Sequence, residues 1–253
     1  MALIAMGFGL LLPWHVSAAI LSGTAWAVSS GHWNDLHWNN GVPISGTSAF
    51  IDNGGTATVT SGVVQDAYSV VVGGDLVASA LMIVDGGRIT DRGALIGSME
   101  TATVSGVGST WTSSHDLNVQ AFDGPAQSGS VGTVEVSGEG SAWTSSSILY
   151  IGRGGDGALT ILGGSRVSNE FYASIGEALG SAGSVAVSGA GSTWTNSGNL
   201  DVGVQGAGAA SPQAIDHTRT GFDHSDSRIT TTPYVFFPTA RGRITAVTGR
   251  PPT

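Results

Sequence analysis

The chain has no cysteine and no lysine in 253 residues. The first absence excludes a disulfide framework and any thiolate metal site, and it removes one obstacle to crossing a membrane unfolded. The second belongs to a wider poverty of charge: charged residues make up 11% of the chain, with nine cations against 18 acids and a formal net charge of -9. Binding to nucleic acid depends on neutralising phosphates, and no basic surface is available for that. Long helices are disfavoured as well. Forty glycines, dense Ser and Thr and few Leu, Glu or Gln make helix costly, while Val, Ile and Thr between Gly-rich corners favour short strands.

What the chain has in abundance is repetition. The segment VSGVGSTWTSS beginning at Val104 returns as VSGEGSAWTSS at Val136 and as VSGAGSTWTNS at Val187. Each copy is then a structural unit that buries its apolar face against its neighbours, and the expected shape is an elongated stack. Behind each phrase comes a short alternation: Leu117-Asn118-Val119, Leu149-Tyr150-Ile151-Gly152 and Leu200-Asp201-Val202-Gly203. Successive side chains leave opposite faces of a strand, so the aliphatic residues point to one side and Asn118, Tyr150 and Asp201 to the other. The same pattern precedes the phrase in Val134-Glu135-Val136 and Val185-Ala186-Val187. A second motif, ALTILGGSRVS from Ala158 to Ser168, is echoed by ALMIVDGGRIT from Ala80 to Thr90.

The tryptophans set a register. Trp111 and Trp143 are 32 residues apart and Trp143 and Trp194 are 51 apart; counting 51 back from Trp111 reaches Thr60, inside the degenerate copy ATVTSG. A coil of roughly 16 to 17 residues fits both spacings as two and three coils, predicting about nine or ten rungs between Thr47 and Gly206 and a rod of roughly 45 Å.

Residues 1–27 are apolar and uncharged, and they read as a secretory signal peptide cleaved after Ala27 or near Ala18, although no Arg or Lys precedes Arg88. A non-cleaved membrane anchor is the alternative, against which stand Pro13, His15 and several Gly and Ser. Residues 28–46 form an N-terminal cap that leads into the repeats. Its cluster of His32, Trp33, Asn34, Asp35, His37 and Trp38 reads as a compact turn over the first rung, with metal binding by the two histidines and Asp35 as the rival. Residues 47–210 are the repeat domain. From Ser211 to Thr253 the alternation stops, and five of the eight prolines and five of the nine arginines are found there. That tail is expected to be disordered or loosely packed and to add no rungs.

The phrases VSGxGSxWT, LxVG and LTIxxGG, with the opening WNDxxWNNGVP and Ala49-Phe50-Ile51, resemble bacterial autotransporter passenger domains of the adhesin-like, repeat-rich kind, over about residues 28–209. The resemblance implies an all-β fold, a right-handed parallel β-helix. It also implies export through type V secretion to the cell surface, outer membrane or exterior of a Gram-negative bacterium, and a C-terminal β-barrel that nothing after Ala210 matches. The function implied is non-catalytic adhesion or self-association, with surface glycans, surface proteins or another copy as partner and no cofactor.

Two rival readings stay open, a carbohydrate-active β-helix enzyme and a truncated gene fragment with only a structural role. An acid/base glycosidase needs two carboxylates at a set separation. The candidates Asp116, Glu135, Glu139, Asp156, Glu170, Glu177 and Asp201 are scattered, and Glu139 stands where other copies hold Val107 and Ala190. A lyase needs a basic group beside acids, and Arg153 and Arg166 are the arginines of the later repeats. His115-Asp116 lacks the strand, turn and helix around a nucleophilic serine. GRGGDGALTI from Gly152 lacks the spacing of calcium-binding nonapeptides and reads as a glycine corner. No residue is therefore assigned a catalytic, cofactor-binding or metal role. Trp111, Trp143 and Trp194 are candidates for contact with sugars or another rod, weighed against packing within their own coil.

Overall fold

The computed structural model describes residues 23–62, 64–73, 77–119, 131–212, 215–217 and 228–229. They form a parallel β-solenoid of about seven turns, with no helix among them. Each full turn carries three strands. Ala80–Val84, Arg88–Asp91 and Ala94–Ile96 make one turn; Thr101–Ser105, Thr110–Ser113 and Leu117–Val119 make the next. Stacking them gives three sheets. Sheet I has eight strands, from Gly23–Ala25 to Leu200–Val202, and sheet II has nine, from Ser30–His32 to Arg228–Ile229. Sheet III has seven, from Gln65–Asp66 to Ile215–His217. At about 4.8 Å per turn the rod is roughly 34 Å long.

The rung count from sequence is corrected by the pairing. Trp111 pairs directly with Trp143, so 32 residues make one turn. Trp143 pairs with Val167 and Val167 with Trp194, so 51 residues make two turns. Three strands share each turn, each with its own alternation, so a repeat of 16 to 17 residues undercounts the chain in a turn. Upstream, Gln65 and not Thr60 occupies the tryptophan column, opposite Ile89. ALMIVDGGRIT and ALTILGGSRVS are the same part of the turn as the tryptophan phrase, with Ile89 and Val167 in the tryptophan's place.

Each letter of the phrase now has a physical reason. Val104, Val136 and Val187 end the inward row of sheet II and are buried. The next corner needs two left-handed residues, which glycine adopts without a Cβ penalty: Gly106 and Gly108 have φ 85° and 77°, Gly189 and Gly191 85° and 80°. Between them Val107, Glu139 and Ala190 project into solvent. Ser109, Ser141 and Ser192 then turn inward and are almost wholly buried. Their hydroxyls serve the corner, Ser141 Oγ donating to the Gly106 carbonyl at 2.6 Å and Ser192 Oγ accepting the Gly164 N–H at 3.0 Å. The tryptophan enters the core, and the following Thr faces out.

After that Thr comes a polar column inside an apolar rod. Asp91, Ser113, Ser145, Asn169 and Asn196 are in register and buried. The asparagines satisfy the corner that follows: Asn169 Nδ2 donates to the Phe171 and Tyr172 carbonyls, and Asn196 Nδ2 to those of Gly198 and Asn199. Each tryptophan looks for an acceptor one turn back. Trp194 Nε1 donates to Asn169 Oδ1 at 3.1 Å and Trp111 Nε1 to Asp91 Oδ2 at 2.7 Å. For Trp143 the column offers Ser113, which is too short, and both Trp143 Nε1 and Ser113 Oγ are buried without a hydrogen bond. Ser113→Asn should supply the missing acceptor and stabilise the chain by about 0.5–1.5 kcal/mol. Chemical denaturation checks this, and a destabilised variant would mean that the column has no room for the longer side chain.

The core is one continuous cluster of the inward rows. Sheets I and II meet so closely that a Cβ on Gly183 would lie 2.3 Å from the Ile151 carbonyl oxygen; Gly157 and Gly208 flank it in register. At the N-terminal end Gly23–Ala25 pairs with Ser48–Phe50, and Trp26, Trp33 and Trp38 pack edge to face at 5.0 and 4.8 Å over the first turn. A signal-peptide cut after Ala27 would remove that strand and Trp26, and a cut near Ala18 would keep both; residues 1–22 lie outside the described residues. Pairing also runs past Ala210. Ala207–Pro212 lies on Ala182–Val187, Ile215–His217 on Trp194–Asn196, and Arg228–Ile229 on Ala209–Ala210. The rest of the expected tail lies outside the described residues.

Candidate ligand-binding face

Because the alternation puts Trp111, Trp143 and Trp194 on inward positions of sheet III, all three are fully buried. They cannot meet a sugar or another rod, and the packing reading holds, within a strand and not over a corner. The chemistry that reaches solvent lies elsewhere, mainly along sheet I. Its outward row runs Phe50, Val71, Leu95, Asn118, Tyr150, Ser174 and Asp201, of which Tyr150 and Ser174 are covered by their neighbours. Two residues ahead of successive strands, at the corner leaving sheet III, stand Tyr68, Arg92 and His115.

These three corner residues and the outward row enclose an open groove of about 330 Å³. Val71 and Leu95 form its apolar floor, with Asn118 and Asp116 at one end. The Arg92 guanidinium lies 5.0 Å over the Tyr68 ring, a cation–π contact that holds the long side chain in place. Its Nη2 points to Nε2 of His115 at 3.4 Å, and His115 Nδ1 lies 3.1 Å from Ser114 Oγ. Asp116 is engaged from the next turn: its Oδ1 accepts the Ser147 hydroxyl at 2.7 Å and the Ile148 N–H at 3.3 Å. Among the described residues no carboxylate forms an ion pair with Arg92.

Two turns further along, the same face carries a second cluster. Arg153 lies 4.5 Å over Tyr150, Tyr150 meets Tyr172 edge to face at 6.0 Å, and Arg153 Nε is 3.6 Å from Glu177 Oε2. Burial pushes the Tyr172 phenol up to about 12. The Glu177 carboxyl is raised by burial, lowered by Arg153 and raised again by Asp201. Here the arginine is already engaged by a ring and a carboxylate.

The other carboxylates remain dispersed. Glu135 is on the outer face of sheet II, Glu139 at an exposed corner tip and Glu170 on the corner leaving sheet III. Asp156 Oδ1 accepts the Ala182 N–H at 2.9 Å, a structural bond between turns. Asp201 lies near Glu177 and its charge helps to raise the Glu177 carboxyl. Arg166 is exposed at the start of its sheet III strand, beside Thr193. In the cap, Asp35 Oδ2 accepts the His32 N–H and lies 3.6 Å from His37 Nε2, so the cluster ties its own turn. Gly152 has φ 74°, as the corner reading of GRGGDGALTI requires.

Sequence reasoning placed Tyr150 on the outward side of its strand but did not single out Tyr68, Arg92 or Tyr172. For Tyr68 and Arg92 the signal was a position, two residues before an apolar strand, and it emerges only once the turns are aligned by their true length. No family model, curated protein or solved structure matches the chain.

Proposed function

We propose that the chain is a secreted or cell-surface passenger of the autotransporter kind, non-catalytic, whose work is adhesion or self-association through a rigid solenoid. The observation that carries this reading is the distribution of chemistry over open, repeated faces. Thr90, Thr112, Thr144, Ser168 and Thr195 form one in-register outward row on sheet III, and the aromatic and arginine positions recur along sheet I. Each turn adds an equivalent weak contact, and many copies on one surface multiply them by raising the effective concentration of the second contact. The repeated phrases support type V export of a Gram-negative passenger, with a leader that ends before Gly23, and the absence of cysteine fits passage in an unfolded state. Partners on this reading are surface glycans, surface proteins or another copy. A carbohydrate-active enzyme is less well supported, since Asp116 and Asp156 hold backbone N–H groups and Arg153 is matched to Glu177.

The test is display of the chain on bacteria as a passenger fused to an outer-membrane barrel, with exposure verified by protease accessibility. Displayed chain should clump cells or bind them to a surface, and removal of residues 101–202 should abolish both. Settling and adhesion equal to the barrel alone, with display verified, would sink the reading.

A further inference from the structure

We infer that the groove between Tyr68, Arg92 and His115 is a binding site for a sugar carboxylate, a pyranose acid within a glycan chain. The inference rests on the adhesion reading only for its biological setting; the site itself rests on geometry. A guanidinium presents a planar fork of N–H donors that matches a carboxylate in two parallel bonds. In a chain of net charge -9 with nine arginines, Arg153 is engaged by Glu177, whereas Arg92 is held over Tyr68 and turned to an imidazole. Stacking on Tyr68 fixes the side chain before any ligand arrives, which lowers the ordering cost of binding.

The surroundings select a sugar. Val71 and Leu95 offer a flat apolar floor beside the charge, suited to the apolar face of a pyranose ring. The Asn118 amide at the rim offers N–H donors for hydroxyls, its Oδ1 being buried and the two His115 nitrogens already facing Arg92 and Ser114. The groove is open and crosses three successive turns, so a chain can pass through it along the rod, which a closed pocket would prevent. The acidic character of the whole molecule disfavours dense polyanions such as nucleic acid, and the one guanidinium of the groove meets one carboxylate at a time, with the neutral hydroxyls of that sugar around it.

Titration calorimetry on the full chain tests this with trigalacturonate and its methyl ester, with sialyllactose and lactose, and with an acetylated Ala-Glu-Ala peptide. One or both acidic sugars should bind, and which of them does identifies the source of the carboxylate. The ester, lactose and the peptide should not bind. Arg92→Gln should weaken binding about tenfold or more, and Arg153→Gln should leave it unchanged. Arg92 is exposed, so the variant keeps its fold, which circular dichroism checks. Binding of the neutral sugars as tightly as the acids, binding of the peptide alone, no binding at all, or equal binding by the Arg92 variant would overturn the inference. Cell clumping that persists in Arg92→Gln while sugar binding never occurs removes this site and leaves the adhesion reading standing. Sugar binding without clumping does the reverse.

Discussion

Replacing Trp143 with alanine should lower the stability of the solenoid by about 3–5 kcal/mol. The side chain is fully buried, its ring 5.7 Å from that of Trp111 at 35°, and Val167 follows it in the column. Truncation loses the transfer free energy of an indole and leaves a cavity whose walls cannot close. The distance between turns is set by the backbone ladders of three sheets, and valine cannot grow to fill the space. Since Trp143 Nε1 has no hydrogen bond to lose, the cost is one of packing, and Trp143→Phe should recover a large part of it. Each turn of a solenoid touches only its neighbours, so the damage should spread outward from the turns of Trp111 and Trp143. Amides of Thr110–Ser113 and Ala142–Ser145 should exchange sooner in the variant than in the parent chain. Thr144→Ala, on the same strand but facing out, is the control and should stay within about 0.5 kcal/mol. Equal denaturation midpoints for the two variants would mean that the column does not hold the rod together.

That column also marks how far the sequence could be read. Parallel strands stacked in a solenoid follow from the repeats and the alternation, and inward Leu117, Val119, Leu149, Ile151, Leu200 and Val202 are where the alternation puts them. The length of a turn does not follow, because Ile89 and Val167 take the place of a tryptophan without any likeness in name. Only pairing reveals that these apolar residues share a column with Trp111, Trp143 and Trp194. The corner differs too, since the tryptophan turns use one residue more between the last inward valine and the ring: Val104 to Trp111, against Ile83 to Ile89. The site suffered from the same error. Tyr68 and Arg92 are unremarkable in a linear reading, His115 draws notice only beside Asp116, and the three become neighbours only when turns of the right length are laid on one another. The position of Val107, Glu139 and Ala190, which varies between the copies, is an exposed corner tip, and the groove lies on a different edge of the rod.

The buried column predicts a dependence on pH as well. Asp91 is 7% exposed, and burial raises its carboxyl from 3.8 to about 6, against the pull of the Trp111 N–H. Its Oδ1 has no hydrogen bond. A carboxyl with a higher pKa in the folded state binds its proton more tightly there than when unfolded. Its contribution is therefore most favourable below about pH 4, is lost as pH rises to about 6, and is constant above that. A shift of this size corresponds to about 3 kcal/mol. Asp91→Asn keeps an acceptor for Trp111, as Asn169 does for Trp194, and carries no charge to bury. The variant should match the parent near pH 3.5 and exceed it by up to about 3 kcal/mol at pH 7. Glu100, 1% exposed and accepting the Ser79 N–H, is raised from 4.5 to about 7 by burial and by Asp52. It should therefore leave the variant a residual loss of stability between about pH 4.5 and 7. Denaturant unfolding of parent and variant at pH 3.5, 5, 6 and 7 separates the two groups, because the difference between the chains belongs to Asp91 and changes only below about pH 6, while a loss common to both does not belong to it. A stability difference between variant and parent that is the same at every pH would show that Asp91 does not change its charge within the fold.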